Sequence, residues 1–166
     1  CGPIFAGAEF PLLRQNARTI PQSTNQQPAY WIWADTSVNH IYIRQKLKLP
    51  EDVSAATLQV SSKGPFEAAI NGSRAATGIG GEADQLIYVS HFLQAGSNVF
   101  TVEARTNGTE YGVKFVLSIK YKSGKTAVVL SNGDELIHTT YQQGWDTPEF
   151  KDNGCKLSTV LKGLPP

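Results

Sequence analysis

Apolar and polar residues alternate with a period of two in short runs along most of this chain, and turn residues separate the runs. The clearest run is Ile41-Tyr-Ile-Arg-Gln-Lys-Leu-Lys-Leu49, which ends at Pro50. Such alternation predicts a strand with one face on a hydrophobic core and the other in water. No segment sustains the 3.6-residue period of a helix, and short helices are expected only at 51–55 or 90–93.

Further runs predict strands over residues 56–61, 66–70, 86–90, 98–105, 111–121 and 126–130. Asn71-Gly72 closes one of them and is the strongest short signal of a hairpin turn, and Asn107-Gly108 turns another. Short strands at intervals of roughly 8–12 residues are typical of an antiparallel sandwich or barrel. The strand–helix alternation of a parallel sheet is missing. The sequence therefore predicts an all-β fold, an antiparallel β-sandwich.

The chain has 166 residues, the usual size of one domain with a single core. Its beginning carries Pro3, Pro11, Pro21 and Pro28, a density of proline that blocks helices and central strands alike. We expect residues 1–28 to form an arm packed on a sandwich made by residues 29–166.

Charge and hydropathy exclude two classes of partner. The formal net charge is +1 with no basic cluster in the sequence, whereas nucleic-acid binding draws on several Lys and Arg on one face. No apolar run approaches the ~18 residues of a membrane span. We therefore expect neither nucleic-acid binding nor a membrane span.

Two cysteines, Cys1 and Cys155, lie near opposite ends of the chain. A disulfide between them would close nearly the whole chain and, in the chain-entropy treatment, stabilise the fold by roughly 4–5 kcal/mol. The sequons Asn71-Gly-Ser73 and Asn107-Gly-Thr109 agree with an oxidising compartment. We expect a secreted, disulfide-bonded glycoprotein. Two free thiols, or a lipid-modified Cys1 as in bacterial lipoproteins, are the alternatives.

Aromatic and acidic side chains supply candidates for a binding site. Alternation would send Trp31 and Trp33 to one face, either into the core, which is the favoured interpretation, or against the apolar face of a pyranose. Of the two, Trp33 is expected to reach a loop. In the loop 77–84, Glu82 and Asp84 suit a sugar hydroxyl or a calcium ion, although a solvated loop explains them equally well.

The stretch 145–155 allows a structural and a functional interpretation. It either forms a structured tail locked by Cys155, which is favoured, or binds a sugar. In the second case Trp145 stacks on the ring while Asp152 and Asn153 take hydroxyl hydrogen bonds.

Catalytic signals are weak. His40, His91 and His138 lie about 50 residues apart without a local metal-ligand partner, and each is expected at a surface or strand edge. No strand–Gly-x-Ser-x-Gly–helix element occurs, and nothing singles out one pair of carboxylates.

Several segments occur in a recognisable order: 30–34 (Tyr-Trp-Ile-Trp-Ala), 43–49, 55–60 with 66–72, 92–102, and Trp145 with 149–154. Together they resemble the galactose-binding-like β-sandwich modules of bacterial and fungal α-L-rhamnosidases, over residues 30 to about 156. The resemblance implies a jelly-roll sandwich and a non-catalytic binding module. Some relatives bind rhamnose with calcium through Asp and Asn, where this chain has Glu82 and Asp84.

The resulting hypothesis is carbohydrate binding, as a lectin or a module of a larger glycoside-active enzyme, for L-rhamnose, galactose or uronic-acid glycans. No cofactor is required, and calcium at Glu82 and Asp84 is an option. The alternatives are an extracellular protein-interaction domain and a polysaccharide hydrolase or lyase. The candidate ligand-binding residues lie in loops at one rim: Trp33, Glu82, Asp84, Arg105, Asn107, Tyr111 and Trp145.

Overall fold

A computed structural model describes residues 28–35, 37–81, 85–106 and 108–162. Within this part of the chain, the strands are β1 (Ile32–Trp33), β2 (His40–Leu49), β3 (Val53–Ser62), β4 (Phe66–Ile70), β5 (Ser73–Gly78), β6 (Gln85–Tyr88), β7 (Gly96–Arg105), β8 (Val113–Tyr121), β9 (Thr126–Leu130), β10 (Leu136–His138), β11 (Lys156–Leu157) and β12 (Thr159–Val160). A short 3-10 helix spans Ser90–Phe92.

The strands form two antiparallel sheets. The first sheet has the order β12-β1-β8-β3-β6, and β9 also pairs with β8. The second sheet has the order β11-β10-β2-β7-β4-β5. Buried residues of both sheets share one hydrophobic cluster, so the sheets lie face to face and the predicted antiparallel β-sandwich is confirmed.

The period-two pattern decides which side chains form the core. On β2, Ile41, Ile43 and Leu47 are buried in the shared cluster, whereas Tyr42, Arg44 and Lys46 alternate with this face and point away from it. Phe100 of β7 contacts Phe115 of β8 across the two sheets, with ring centroids 4.7 Å apart. Burying each such side chain contributes about 1.5–3 kcal/mol.

The Asn71-Gly72 pair forms the predicted hairpin turn between β4 and β5. Both residues have positive φ, 52° and 82°, as a type I′ turn requires. The Asn71 amide donates to the Phe92 carbonyl at 3.0 Å and to Asn98 Oδ1 at 2.8 Å, while its oxygen accepts from the Val99 N–H at 2.9 Å. A glycan on Asn71 Nδ2 would remove at least one of the two bonds that this amide donates. Glycosylation at this position stays a prediction.

Several local expectations need correction. The segment 51–55 is not helical, because β3 begins at Val53, whereas the helical turn expected at 90–93 is confirmed by the 3-10 helix. Strand β1 has two residues, too few for alternation, and both are buried. Trp31 precedes this strand and is partly exposed, so the two tryptophans do not share a face.

The described residues contain no helix long and apolar enough to cross a membrane. The predicted arm, except for Pro28, lies outside the described residues.

Candidate functional site

A buried ionic cluster attaches the segment 139–155 to the outer face of the second sheet. Arg44 points away from the core because it alternates with Ile43, yet it is fully buried. Its guanidinium donates to Asp152 Oδ1 from Nε at 2.6 Å, and to the carbonyls of Trp145 and Thr147. One side chain of β2 therefore fixes the backbone of the covering segment at several points.

Asp152 and His138 complete this cluster. Burial alone raises the pKa of Asp152, but the neighbouring His138 ring and the Arg44 guanidinium outweigh it and hold that pKa below its ordinary value. His138 is 5% exposed, its Nδ1 lies 3.1 Å from Gln142 Nε2, and its Nε2 lies 3.7 Å from Asp152 Oδ1. The expectation of a surface or strand-edge histidine is therefore wrong for His138.

Beside this cluster lies a cleft, which we call the rim cleft, at one end of the sandwich. It encloses about 180 Å³ between the β1–β2 loop, the segment that follows β10 and the start of β11. Its volume is below the ~300–1,000 Å³ of drug-sized sites, which suits one small polar ring. The cleft is lined by Ala34, Asp35, Val38, Ile137, His138, Thr139, Thr140, Gln142, Gly154, Lys156 and Leu157.

Trp33 holds one wall of the rim cleft in place from beneath. Its indole is 0% exposed, and Nε1 donates to the Val38 carbonyl at 3.2 Å. Tyr111 packs on the same indole at a centroid distance of 5.6 Å and is itself exposed. The expectation that Trp33 contacts a ligand is therefore corrected, because its ring supports the loop from within the core.

A polar strip continues from the rim cleft along the outer face of the second sheet. Antiparallel pairing sets His40 opposite Arg105 and Tyr42 opposite Glu103. His40 Nε2 lies 2.7 Å from Glu103 Oε2, and Arg105 lies 3.9 Å from the same oxygen. This register places Arg105, a sequence-predicted candidate, opposite His40 at the end of β7. A binding role for Arg105 or Tyr111 stays a prediction.

Aromatic side chains join the strip to the cleft. The Tyr42 ring stacks on His40 at 4.7 Å and meets the rings of Trp145 at 5.1 Å and Tyr141 at 6.1 Å. Burial and the Glu103 charge raise the pKa of the Tyr42 hydroxyl. Tyr141 is 63% exposed and follows the cleft residues Thr139 and Thr140. It offers an open ring face beside the polar lining.

The sugar-binding roles predicted for Trp145 and Asp152 in the stretch 145–155 are contradicted, whereas Asn153 is exposed and its role stays a prediction. Trp145 is 9% exposed and packs edge-on against Tyr42. Asp152 is buried and paired with Arg44. Neither side chain presents the open surface that stacking on a sugar or binding its hydroxyls needs.

Other predictions lie beyond what the structure describes. Glu82, Asp84 and Asn107 are outside the described residues. Among the residues that the structure describes, no group of three or more His, Cys, Asp or Glu side chains could hold a metal ion. Calcium at Glu82 and Asp84 stays a prediction.

Cys1 is also outside the described residues, while Cys155 is buried, with Sγ 2.9 Å from the Asp152 carbonyl. The disulfide and secretion stay predictions.

The sequence did not single out several residues of this rim. Asp35, Tyr141 and Gln142 carried no motif, and His40 and His138 looked isolated. The period-two pattern of β2 was a usable signal for His40, which alternates with the core residue Ile41. The place of His138 depends on the pairing of β10 with β2, which no local pattern reveals.

Solved structures share this fold. A Streptomyces avermitilis α-L-rhamnosidase, solved with L-rhamnose, matches 92% of this chain with a TM-score of 0.73 and 21% identity. A Pleurotus ostreatus lectin matches 80% with a TM-score of 0.74 and 18% identity, and its complex with GalNAc matches 81% with a TM-score of 0.70 and 19% identity. The chain has the fold of a galactose-binding-like β-sandwich.

The likeness covers part of each of these proteins. The chain spans 16% of the rhamnosidase and 41% and 45% of the two lectin chains. No protein-family model and no curated protein sequence matches it. The fold implied by the resemblance to rhamnosidase modules is thus confirmed by structure.

Proposed function

We propose that this chain binds carbohydrate at the rim cleft and does so without chemical change. The observation that carries the proposal is a small polar cleft whose lining residues Thr140 and Gln142 flank the exposed Tyr141 in the chain. The shared fold with a lectin solved with GalNAc supports the same ligand class.

The lining residues match the chemistry of a sugar. A pyranose offers hydroxyls that donate and accept, and apolar C–H faces that pack on aromatic rings. Asp35 is exposed and supplies an acceptor, while Gln142 and Lys156 supply donors. Tyr141 supplies the stacking face.

Three carboxylates of the described residues already have partners within the protein, which supports binding over catalysis. Asp152 is held by Arg44, and Glu103 is in contact with His40. Glu135 is buried and accepts from Ser158 Oγ at 2.7 Å and from the N–H groups of Asn132 and Gly133. These groups hold the fold together, which favours a non-catalytic role.

The proposal is tested by titrating the protein with L-rhamnose, galactose, GalNAc and galacturonic acid, with and without calcium, using calorimetry. We expect binding of one sugar class that Tyr141→Ala or Asp35→Asn weakens at least tenfold. Tyr88→Ala is the matched control, because Tyr88 is 71% exposed on β6 of the other sheet. Equal weakening by Tyr88→Ala, or no binding of any sugar, would overturn the proposal.

One observation favours a hydrolase as the second candidate. Glu67 of β4 and Glu103 of β7 are direct cross-strand partners, and glycosidases use two nearby carboxylates. Both are occupied, however, since Glu67 pairs with Arg74 at 2.9 Å and Glu103 with His40. Release of reducing sugar from a polysaccharide, lost in Glu103→Gln, would replace the binding proposal with this one.

A further inference from the structure

We propose that Trp31, Lys63 and Lys114 form a second binding site, separate from the rim cleft, for the acidic groups of an anionic polysaccharide. This inference goes beyond the proposed function, because it uses other residues and requires acidic groups on the ligand. We call these three residues the Trp31 site.

The Trp31 ring is fixed in a partly exposed position. The Trp31 carbonyl accepts from the Leu161 N–H at 2.8 Å, which joins it to the chain next to β12. The edge of the ring lies against Gly112, where an added Cβ would be 3.2 Å from Cε3. The ring therefore has a defined orientation, so little entropy is lost when a ligand contacts it.

Two ammonium groups lie over this one ring. Lys63 Nζ is 4.5 Å and Lys114 Nζ is 5.0 Å from the ring centroid, within the range of cation–π attraction. Because both are near the same centroid, they lie within ~10 Å of each other, about one Debye length at 0.1 M salt. Their positive potentials therefore add at the ring.

Several basic groups of the described residues are paired with carboxylates. Arg44, Arg74, Arg105 and Lys122 each have a carboxylate within 4.0 Å. Within the described part, neither Lys63 nor Lys114 forms such an ion pair. An external anion near both ammonium groups would reduce their mutual repulsion.

The surroundings favour a polysaccharide as the anion. Lys114 also lines an open groove of about 210 Å³ on the outer face of the first sheet, with Gln59, Val116 and Pro28. A chain of sugars held at Lys114 can continue along this groove. The acidic group of one sugar contacts the ammonium groups, and the exposed Gln59 offers hydrogen bonds to hydroxyls farther along the polysaccharide.

The test compares three polyanions with a neutral polysaccharide at low and moderate salt. Polygalacturonate carries carboxylates on sugars, heparin carries sulfates as well, and poly-glutamate carries carboxylates on a peptide. We expect tight binding of polygalacturonate, heparin or both at 50 mM NaCl, weakened as salt rises, and little binding of neutral dextran. Binding confined to poly-glutamate would assign the site to acidic peptides and overturn the proposal.

The decisive variant is the double substitution Lys63→Gln with Lys114→Gln, which keeps the indole in place. We expect it to weaken polyanion binding on the order of tenfold or more. Lys120→Gln with Lys125→Gln is the matched control, because it removes the same charge from exposed positions near the other end of β8. Equal loss in both double variants would show a general charge effect and contradict a built site.

A further comparison separates this site from the rim cleft. Tyr141→Ala should leave polyanion binding unchanged, and the double lysine variant should leave binding of a neutral sugar at the rim cleft unchanged. Loss of polyanion binding in Tyr141→Ala would place the anion at the rim cleft instead. Circular dichroism of each variant confirms that the sandwich is folded.

Discussion

Arg44 Nε lies 2.6 Å from Asp152 Oδ1, although 108 residues separate them in the chain. The pair joins a central strand of the second sheet to the segment that covers it. Because Thr139, Thr140 and Gln142 of this segment line the rim cleft, the shape of the proposed sugar site depends on the pair.

Breaking this pair should strongly destabilise the fold. Arg44→Met leaves Asp152 buried without its main partner, and removing one member of a buried pair costs about 3–5 kcal/mol. Urea denaturation measures the loss. Arg105→Ala is the control, because its contact with Glu103 is exposed and long at 3.9 Å, so we expect a change below about 1 kcal/mol. Equal effects of the two substitutions would contradict the structural role of Arg44.

The depressed pKa of Asp152 predicts acid sensitivity. Its folded pKa is below the ordinary 3.8, so the folded state binds fewer protons at this group than the unfolded state does. Its stabilising contribution is complete above the ordinary value and is lost as pH falls through the folded pKa. Urea midpoints measured from pH 6 to pH 2 should show this loss, and Asp152→Asn should remove that part of the slope. A parallel slope in Asp152→Asn would contradict the assignment.

The raised pKa of Glu135 predicts a pH dependence of stability opposite to that of Asp152. Burial raises the pKa of Glu135 above the ordinary 4.5, and hydrogen bonds from Ser158 and two backbone N–H groups only reduce that shift. Its contribution is complete below pH 4.5 and is lost as pH rises through the folded pKa. A carbon-13 titration of the Glu135 carboxyl should give a midpoint above 4.5. A midpoint at or below that value would show that the hydrogen bonds outweigh burial.

We expect that replacing the buried Gln45 with an apolar residue stabilises the fold. Gln45 faces the core between Ile43 and Leu47 and is 1% exposed, and its Oε1 has no hydrogen-bond partner within the described residues. Replacing a buried polar atom that lacks a partner with an apolar group of similar size removes a desolvation cost of about 1–3 kcal/mol. We expect Gln45→Met to raise the free energy of unfolding by about 1 kcal/mol. Gln59→Met, at an exposed position of β3, should change it by less than about 0.5 kcal/mol; a Gln45→Met protein no more stable than wild type would show that Oε1 is satisfied.

A substitution at Gly112 tests the packing around Trp31. The φ of Gly112 is 145°, and a Cβ there would lie 3.2 Å from both Trp31 Cε3 and Leu161 Cδ1. Gly112→Ala therefore combines backbone strain with a close contact. Gly124→Ala, where φ is 93° and no atom lies within 4 Å, carries the strain alone, about 1–3 kcal/mol. Thermal unfolding should show a larger loss of stability for Gly112→Ala than for Gly124→Ala. An equal loss would mean that the Trp31 ring moves away from the added methyl group.

The alternating runs made the long strands predictable, because one face of each is buried along its whole length. Strand β2 extends one residue beyond its predicted start, and Asn71-Gly72 turns where expected. Strand β1 escaped prediction because two residues cannot show a period. Trp33 lies in the core, as the favoured interpretation predicted, and its Nε1 also reaches the β1–β2 loop at the Val38 carbonyl.

The site was less predictable than the fold, because its geometry depends on pairs far apart in sequence. Alternation alone indicates a solvent-facing Arg44, and only the arrival of Asp152 from the covering segment buries it. His138 likewise reaches the cluster through the pairing of β10 with β2. Arg105 and Tyr111 were predicted in loops at one rim, and their ligand-binding roles stay predictions.

The most direct test of carbohydrate binding at the rim cleft is a titration of isotope-labelled protein with GalNAc, galactose and L-rhamnose, followed by NMR chemical shifts of the backbone amides. The account predicts saturable shifts concentrated at residues 34–40, 138–142 and 154–157. Shifts centred elsewhere on the sandwich, or no shifts with any of the sugars at millimolar concentration, would contradict it.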